Sequence, residues 1–247
     1  MGKGWSWPGF SDYLLNPYIL GGVVTTVWLT LLAMVGGLVL GFALALARLS
    51  GQGWLSAPAR FYIWLFRGTP LMVQLIIIYT GLPQLGIKLS VIESALVGLI
   101  LNEAAYLAEI VRGGIQSIAA GQIDAARSMG LTGAQVMRYI VMPQAMRLIV
   151  PVLGNSVNGL LKTTSVTSVI SMEELLRRTQ VLIQEKFMVL ELFLVAALYY
   201  LVLTSIWDLV QRRIERYYGR GYVRDPRQGA VAGGRADGAT LKPGAGS

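Results

Sequence analysis

The sequence has 247 residues and a net charge of +8, with 54% hydrophobic and only 14% charged residues. Soluble domains carry about 25% charged residues, so lipid is expected to be much of the solvent around one compact membrane domain. Cysteine and histidine are both absent, which excludes a disulfide scaffold, thiolate chemistry, zinc sites and a Ser/His/Asp triad.

Residues 1–18 hold Trp5, Trp7 and Phe10 and read as an interfacial segment with aromatic anchors. A spanning helix needs about 20 mainly apolar residues. Residues 19–47 supply the first without a charge, starting too late and running too long for a cleaved signal peptide. Gly36, Gly37 and Gly41 within it point to close helix packing. Residues 61–82 give the second span, interrupted by Arg67-Gly68-Thr69-Pro70, and 89–108 the third, carrying Glu93 and Glu103. Residues 147–165 give the fourth, broken by Pro151, Gly154 and Gly159 and holding Lys162, and 188–210 the fifth. Hydrocarbon cannot satisfy an open backbone, and these segments are too long for barrel strands. The expected fold class is an all-α integral membrane protein with about five transmembrane helices in a domain over 19–216.

Loop charges give an orientation. Arg48 and Arg60, then Arg112, Arg127 and Arg138 in the third connection (about 112–146), then the basic tail fall on one side of a five-span chain. The positive-inside rule makes that side the cytoplasm, with the N-terminus outside. The connections 81–90 and 166–187 are short or charge-balanced, as outside loops should be. Residues 217–247, rich in Gly, Ala and Arg, are expected to form a disordered cytoplasmic tail. A basic cluster directly after a span reads as topology rather than as a nucleic-acid surface.

The third connection contains Gly121-Gln-Ile-Asp-Ala-Ala-Arg-Ser-Met-Gly130. Ile123, Ala126, Arg127 and Gly130 fall at helical spacing, the alanines keep the helix slim, and Gly130 offers a stop. A second amphipathic stretch, 135–142, runs into Pro143. By itself this is a slim helix at the membrane face, either interfacial or shaped to dock in a groove. Asp124-Ala125-Ala126, Gly130, Ile140 and Pro143 resemble the EAA loop of permease subunits of ABC importers, which reads Glu-Ala-Ala, three residues, Gly, nine residues, Ile, one residue, Leu-Pro. Asp124 and Met142 depart from it mildly, keeping an acid and an apolar side chain. Arg67 to Gln74, the run 79–83, Ala104-Ala105-Tyr106 with Glu109 and Arg112, and the run 161–165 resemble polar amino acid permeases of the histidine/lysine/arginine/glutamine type.

The resemblance implies a type I importer fold in a bacterial cytoplasmic membrane. It implies a homo- or heterodimer of permeases, two cytoplasmic ABC ATPases, and an extracellular or periplasmic solute-binding protein. Asp124, Ala125, Ala126, Gly130, Ile140 and Pro143 would form the ATPase-coupling element. This chain has no Gly-x-x-x-x-Gly-Lys-Ser/Thr loop, so ATP and Mg belong to the partner ATPase, and this chain is a non-catalytic subunit without a cofactor of its own.

Charged groups at membrane depth face a cavity or a partner. Arg67 is either a substrate contact, beside backbone freed at Thr69-Pro70, or part of an ion pair. Glu103 would pair with a cationic amino acid, or with Lys162 or Arg67 across subunits. Lys162 with Thr163 and Ser165 would take an α-carboxylate or close an outer gate. Gln74 and Asn102 face the path or bond across helices. Glu93 reads as interfacial, and Glu109 with Arg112 as an i, i+3 pair. The rival function is an ATP-independent amino acid carrier or channel, which gives the loop from Asp124 to Pro143 no role. A membrane-embedded enzyme finds no nucleophile–base pair or metal cluster to support it.

Overall fold

Polar caps and prolines set where the first helices begin. Ser6 accepts from the Gly9 amide and precedes α1, Trp7–Leu14, which has proline in its first turn. Asn16 caps α2, Pro17–Leu49, through the Tyr18 amide in the same way. The computed structural model describes residues 5–218, and every regular element among them is helical. Of the tail expected to be disordered, Tyr217 and Tyr218 instead close the last helix, and the rest lies outside the described residues. The helices that follow are α3 (Gly53–Gly68), α4 (Leu71–Ile76), α5 (Val91–Gln116) and α6 (Ala120–Ser128). Then come α7 (Gly133–Val136), α8 (Met142–Thr163), α9 (Leu175–Lys186) and α10 (Val189–Tyr218).

Four stretches are long and apolar enough to cross a membrane: Pro17–Leu49, Val91–Gln116, Gly133–Ile170 and Val189–Tyr218. Gly53–Gly68 and Leu71–Leu85 are apolar enough together but meet at 105°, the geometry of a broken span or of a re-entrant loop, which gives four crossings or five. The interruption at Thr69-Pro70 is therefore a sharp corner rather than a kink in one straight span. The helix around 147–165 is also longer than its apolar core, since the amphipathic stretch ahead of it continues through Pro143.

Proline explains how that continuation works. Having no amide hydrogen, it strands the carbonyl four residues back and crowds it. In two crossings the backbone widens just before the proline. A π-turn at Ile77–Gly81 precedes Pro83, and one at Met137–Val141 precedes Pro143. Leu82 N–H reaches Ile77 O and Met142 N–H reaches Met137 O, skipping one residue relative to an α-helix.

The most extensive pairing is α2 on α5. It depends on Gly41, where an added Cβ would sit 2.9 Å from Ala104 O and 3.0 Å from Leu107 Cβ. One turn away, Gly37 leaves room for the Cβ of Glu103. α8 and α10 are joined by polar bonds. Trp207 Nε1 donates to Gly154 O at 2.7 Å, and Asn158 Nδ2 donates to Asp208 Oδ1 at 2.6 Å.

Between α8 and α10 the chain is built into the fold rather than looping over it. A 3₁₀ segment, Thr164–Ile170, leads to α9, which packs on α2. Glu174, wholly buried, caps α9 by accepting from Arg177 N (2.7 Å) and Leu176 N (2.8 Å), and also accepts from Tyr200 Oη (2.9 Å). Burial pushes its carboxyl above the usual carboxylate range, and the three donors pull it back down.

Candidate functional site

The corner between α3 and α4 opens a cavity of about 620 Å³ against α5 and α8. What holds the corner is an accounting problem in backbone hydrogen bonds. Pro70 has no N–H to give Phe66 O. Instead Gln74 Nε2 donates to it at 2.9 Å and Asn102 Nδ2 at 3.3 Å. Gln74 Nε2 also lies 2.8 Å from Thr69 Oγ1 and 3.1 Å from Thr69 O, so its two hydrogens serve three acceptors. Asn102 Nδ2 donates to Gln74 Oε1 at 3.0 Å, and Thr69 Oγ1 donates to Leu65 O at 2.8 Å. Tyr62 Oη adds a bond to Leu101 O at 2.7 Å, fixing α3 to α5.

Among the sequence-predicted path residues, Arg67, Thr69, Asn102, Glu103 and Thr163 line this cavity. Gln74 lies behind them, buried, with its amide spent on the corner. Lys162 is exposed and Ser165 is half-buried, with its hydroxyl on Lys162 O, and neither lines the cavity. Glu103 makes no hydrogen bond or ion pair among the described residues, whereas Glu109 is surrounded by cations. Arg48 and Arg112 both bond its carboxylate, Arg112 Nη2 at 2.8 Å from Oε2, and Arg67 Nη1 stands 3.9 Å away. Glu93 is spent elsewhere. It closes a capping box with Ser90 at the start of α5, with Ser90 N donating to Glu93 Oε2 at 2.7 Å.

Tyr106, Ser156 and Gly159 also line the cavity and were not singled out for it from sequence. Helical spacing carries the signal that would have found them. Glu103, Tyr106 and Ile110 lie at i, i+3 and i+7 on α5, and Ser156, Gly159 and Thr163 repeat the pattern on α8.

The second site is the loop at the other end of these helices. α6 ends in a left-handed Gly130 (φ +85°), with Gly130 N–H on Arg127 O (2.9 Å) and Leu131 N–H on Ala126 O (3.2 Å). This is a Schellman stop, followed at once by Thr132, which closes a capping box with Gln135 to start α7. Ala126 is buried and Ile140 half-buried, while Asp124, Ala125, Gly130 and Pro143 are exposed. The inward side joins one apolar cluster with Ala45 of α2, Val111 and Ile115 of α5, and Ala145 and Ile149 of α8. Gln144 Nε2 bonds Gln122 Oε1 at 2.7 Å and ties α6 to the root of α8. The loop is thereby packed on three long helices at once.

The family described as binding-protein-dependent transport system inner membrane component matches residues 37–219, a stretch that contains both the cavity and this loop. The chain belongs to that family. This permease is 38% identical to the arginine transport system permease protein ArgU of Corynebacterium glutamicum, across 90% of this chain and 75% of that protein. It is 36% identical to the glutamine transport system permease protein GlnP of Escherichia coli (strain K12), across 86% of this chain and 96% of that protein. A crystal structure of an amino acid ABC transporter with histidines superposes with a TM-score of 0.82 at 35% identity, covering 87% of this chain and 100% of that chain.

Proposed function

We propose that this permease is the membrane subunit of an ATP-driven importer of polar amino acids, with a preference for basic ones. The observation that carries the reading is the α6–Gly130 turn, rooted in α2, α5 and α8 on its inward side, because its outward side stays exposed among the described residues. Asp124, Ala125, Ala126, Gly130, Ile140 and Pro143 form the coupling element, and a cytoplasmic ABC ATPase holding ATP and Mg is its partner. Arg48, Arg60, Arg112, Arg127 and Arg138 support placing this end in the cytoplasm. The N-terminus, the α4–α5 connection and α9 then face outward, where a solute-binding protein delivers cargo. A second permease, alike or similar, completes the pathway.

Relatives named for arginine and for glutamine support amino acids as cargo and leave the side chain open. Glu103 supports cations, since its carboxyl lies in the cavity wall and makes no ion pair among the described residues, leaving it open to a guanidinium or ammonium. An ATP-independent carrier or channel leaves the exposed turn without a role. Gly130→Arg tests the reading: the protein should still reach the membrane, while uptake and co-purification of an ATPase are both lost. Undiminished uptake by that variant refutes it.

A further inference from the structure

Glu109 is approached by three arginines but satisfies only two. Arg48 and Arg112 both hydrogen-bond its carboxylate. Arg67 stands 3.9 Å off, beyond hydrogen-bond range, with its guanidinium 5.4 Å from the centre of the Tyr106 ring. No hydrogen bond from the Arg67 guanidinium to a protein acceptor forms among the described residues, and its side chain keeps 44% of its surface exposed. Both Arg67 and Glu109 lie in the wall of the 620 Å³ cavity. Arg48 and Arg112 lie behind the wall and occupy the Glu109 carboxylate, so Arg67 is the cation in the lining that is left with open donors for an anion. The opposite sign is supplied elsewhere in the same wall by Glu103, and α8 contributes the neutral hydroxyls of Ser156 and Thr163.

We propose that Arg67 is the anchor for the α-carboxylate of the transported amino acid, kept available because Arg48 and Arg112 already saturate Glu109. The inference rests on the amino acid reading above. A guanidinium presents a planar pair of donors that matches both oxygens of a carboxylate, which an ammonium does not. Lys162, the other cation on these helices that could take a carboxylate, is exposed and outside the cavity lining. Glu109 is a positioning residue, since it holds the arginine cluster without touching the cargo. A basic amino acid then lies with its carboxylate on Arg67 and its side-chain cation on Glu103, so each end of the molecule is read separately.

Binding of labelled arginine and of labelled agmatine, which is arginine without its carboxylate, to the full-length permease in lipid nanodiscs tests this. The unmodified protein should prefer arginine by about ten- to a hundred-fold, the range of one charge-assisted hydrogen-bonded contact. Arg67→Gln should erase the preference by weakening arginine alone, Arg67→Lys should restore part of it, and Glu109→Gln should shift arginine affinity while leaving agmatine affinity in place. Equal affinities in the unmodified protein overturn the anchor without needing any variant. So does a preference that survives Arg67→Gln. If the assembled transporter takes up amino acids and only the preference fails the test, the anchor alone is wrong. If it takes up no amino acid at all, the functional reading falls with it.

Discussion

Removing the brace at the α3–α4 corner should destabilise the protein in a pattern that two single substitutions cannot show. Gln74→Leu keeps the side-chain volume and deletes the 2.9 Å donor to Phe66 O, leaving that carbonyl with Asn102 at 3.3 Å. Asn102→Leu does the reverse. Each single variant loses hydrogen bonds worth about 0.5–1.5 kcal/mol net, but Phe66 O retains one donor in both. Only the double variant orphans it, since Pro70 offers none, at a further cost of about 1–3 kcal/mol. The direct bond between the two amides, 3.0 Å, works the other way, because its loss is counted in both singles. Interhelical hydrogen bonds in membranes average about 0.6 kcal/mol, so the orphaned carbonyl outweighs it. The double variant should therefore exceed the sum of the singles by about 0.5–2 kcal/mol. Reversible unfolding in mixed micelles, followed by far-ultraviolet circular dichroism, measures all four corners of the cycle. A double variant that costs no more than the sum refutes the assignment of Gln74 and Asn102 to the corner.

Gly41→Val should loosen α2 from α5, because its Cβ would meet Ala104 O at 2.9 Å. A cost of about 1–3 kcal/mol in the same unfolding assay is expected. Gly130→Ala has open space around it, so its cost is the left-handed backbone alone, about 1–2 kcal/mol, seen as lowered stability together with weakened ATPase stimulation. Glu103→Gln should reduce uptake of arginine or lysine more than uptake of glutamine, and equal effects on all three remove its proposed role.

Patterns local to one helix were readable in the sequence, and juxtapositions between helices were not. Helical spacing exposed Gly36, Gly37 and Gly41 as a packing seam, and the i, i+3 rule paired Glu109 with Arg112. Nothing in that rule places Arg48 and Arg67 on the same carboxylate, since both come from other helices. Thr69-Pro70 announced a break, but its 105° angle depends on Gln74 and Asn102, whose amides look the same in sequence whether they face cargo or a stranded carbonyl. The segment 166–187 read as an outside loop because its charges balance. Its buried face, with Leu175, Thr179 and Leu182, is too short to stand out as a span. The stretch 135–142 read as an amphipathic segment apart from the span at 147–165, whereas a π-turn before Pro143 lets one helix continue through both.

The account depends most on the claim that the turn at Gly130 receives its drive from an ATPase. Uptake of labelled arginine into proteoliposomes holding the permease with its co-purified partners and binding protein tests that claim most directly. Uptake should require hydrolysable ATP on the side of the α6–Gly130 turn, be indifferent to collapse of ion gradients, and vanish with Gly130→Arg. Uptake that proceeds without ATP and follows an ion gradient would contradict the account.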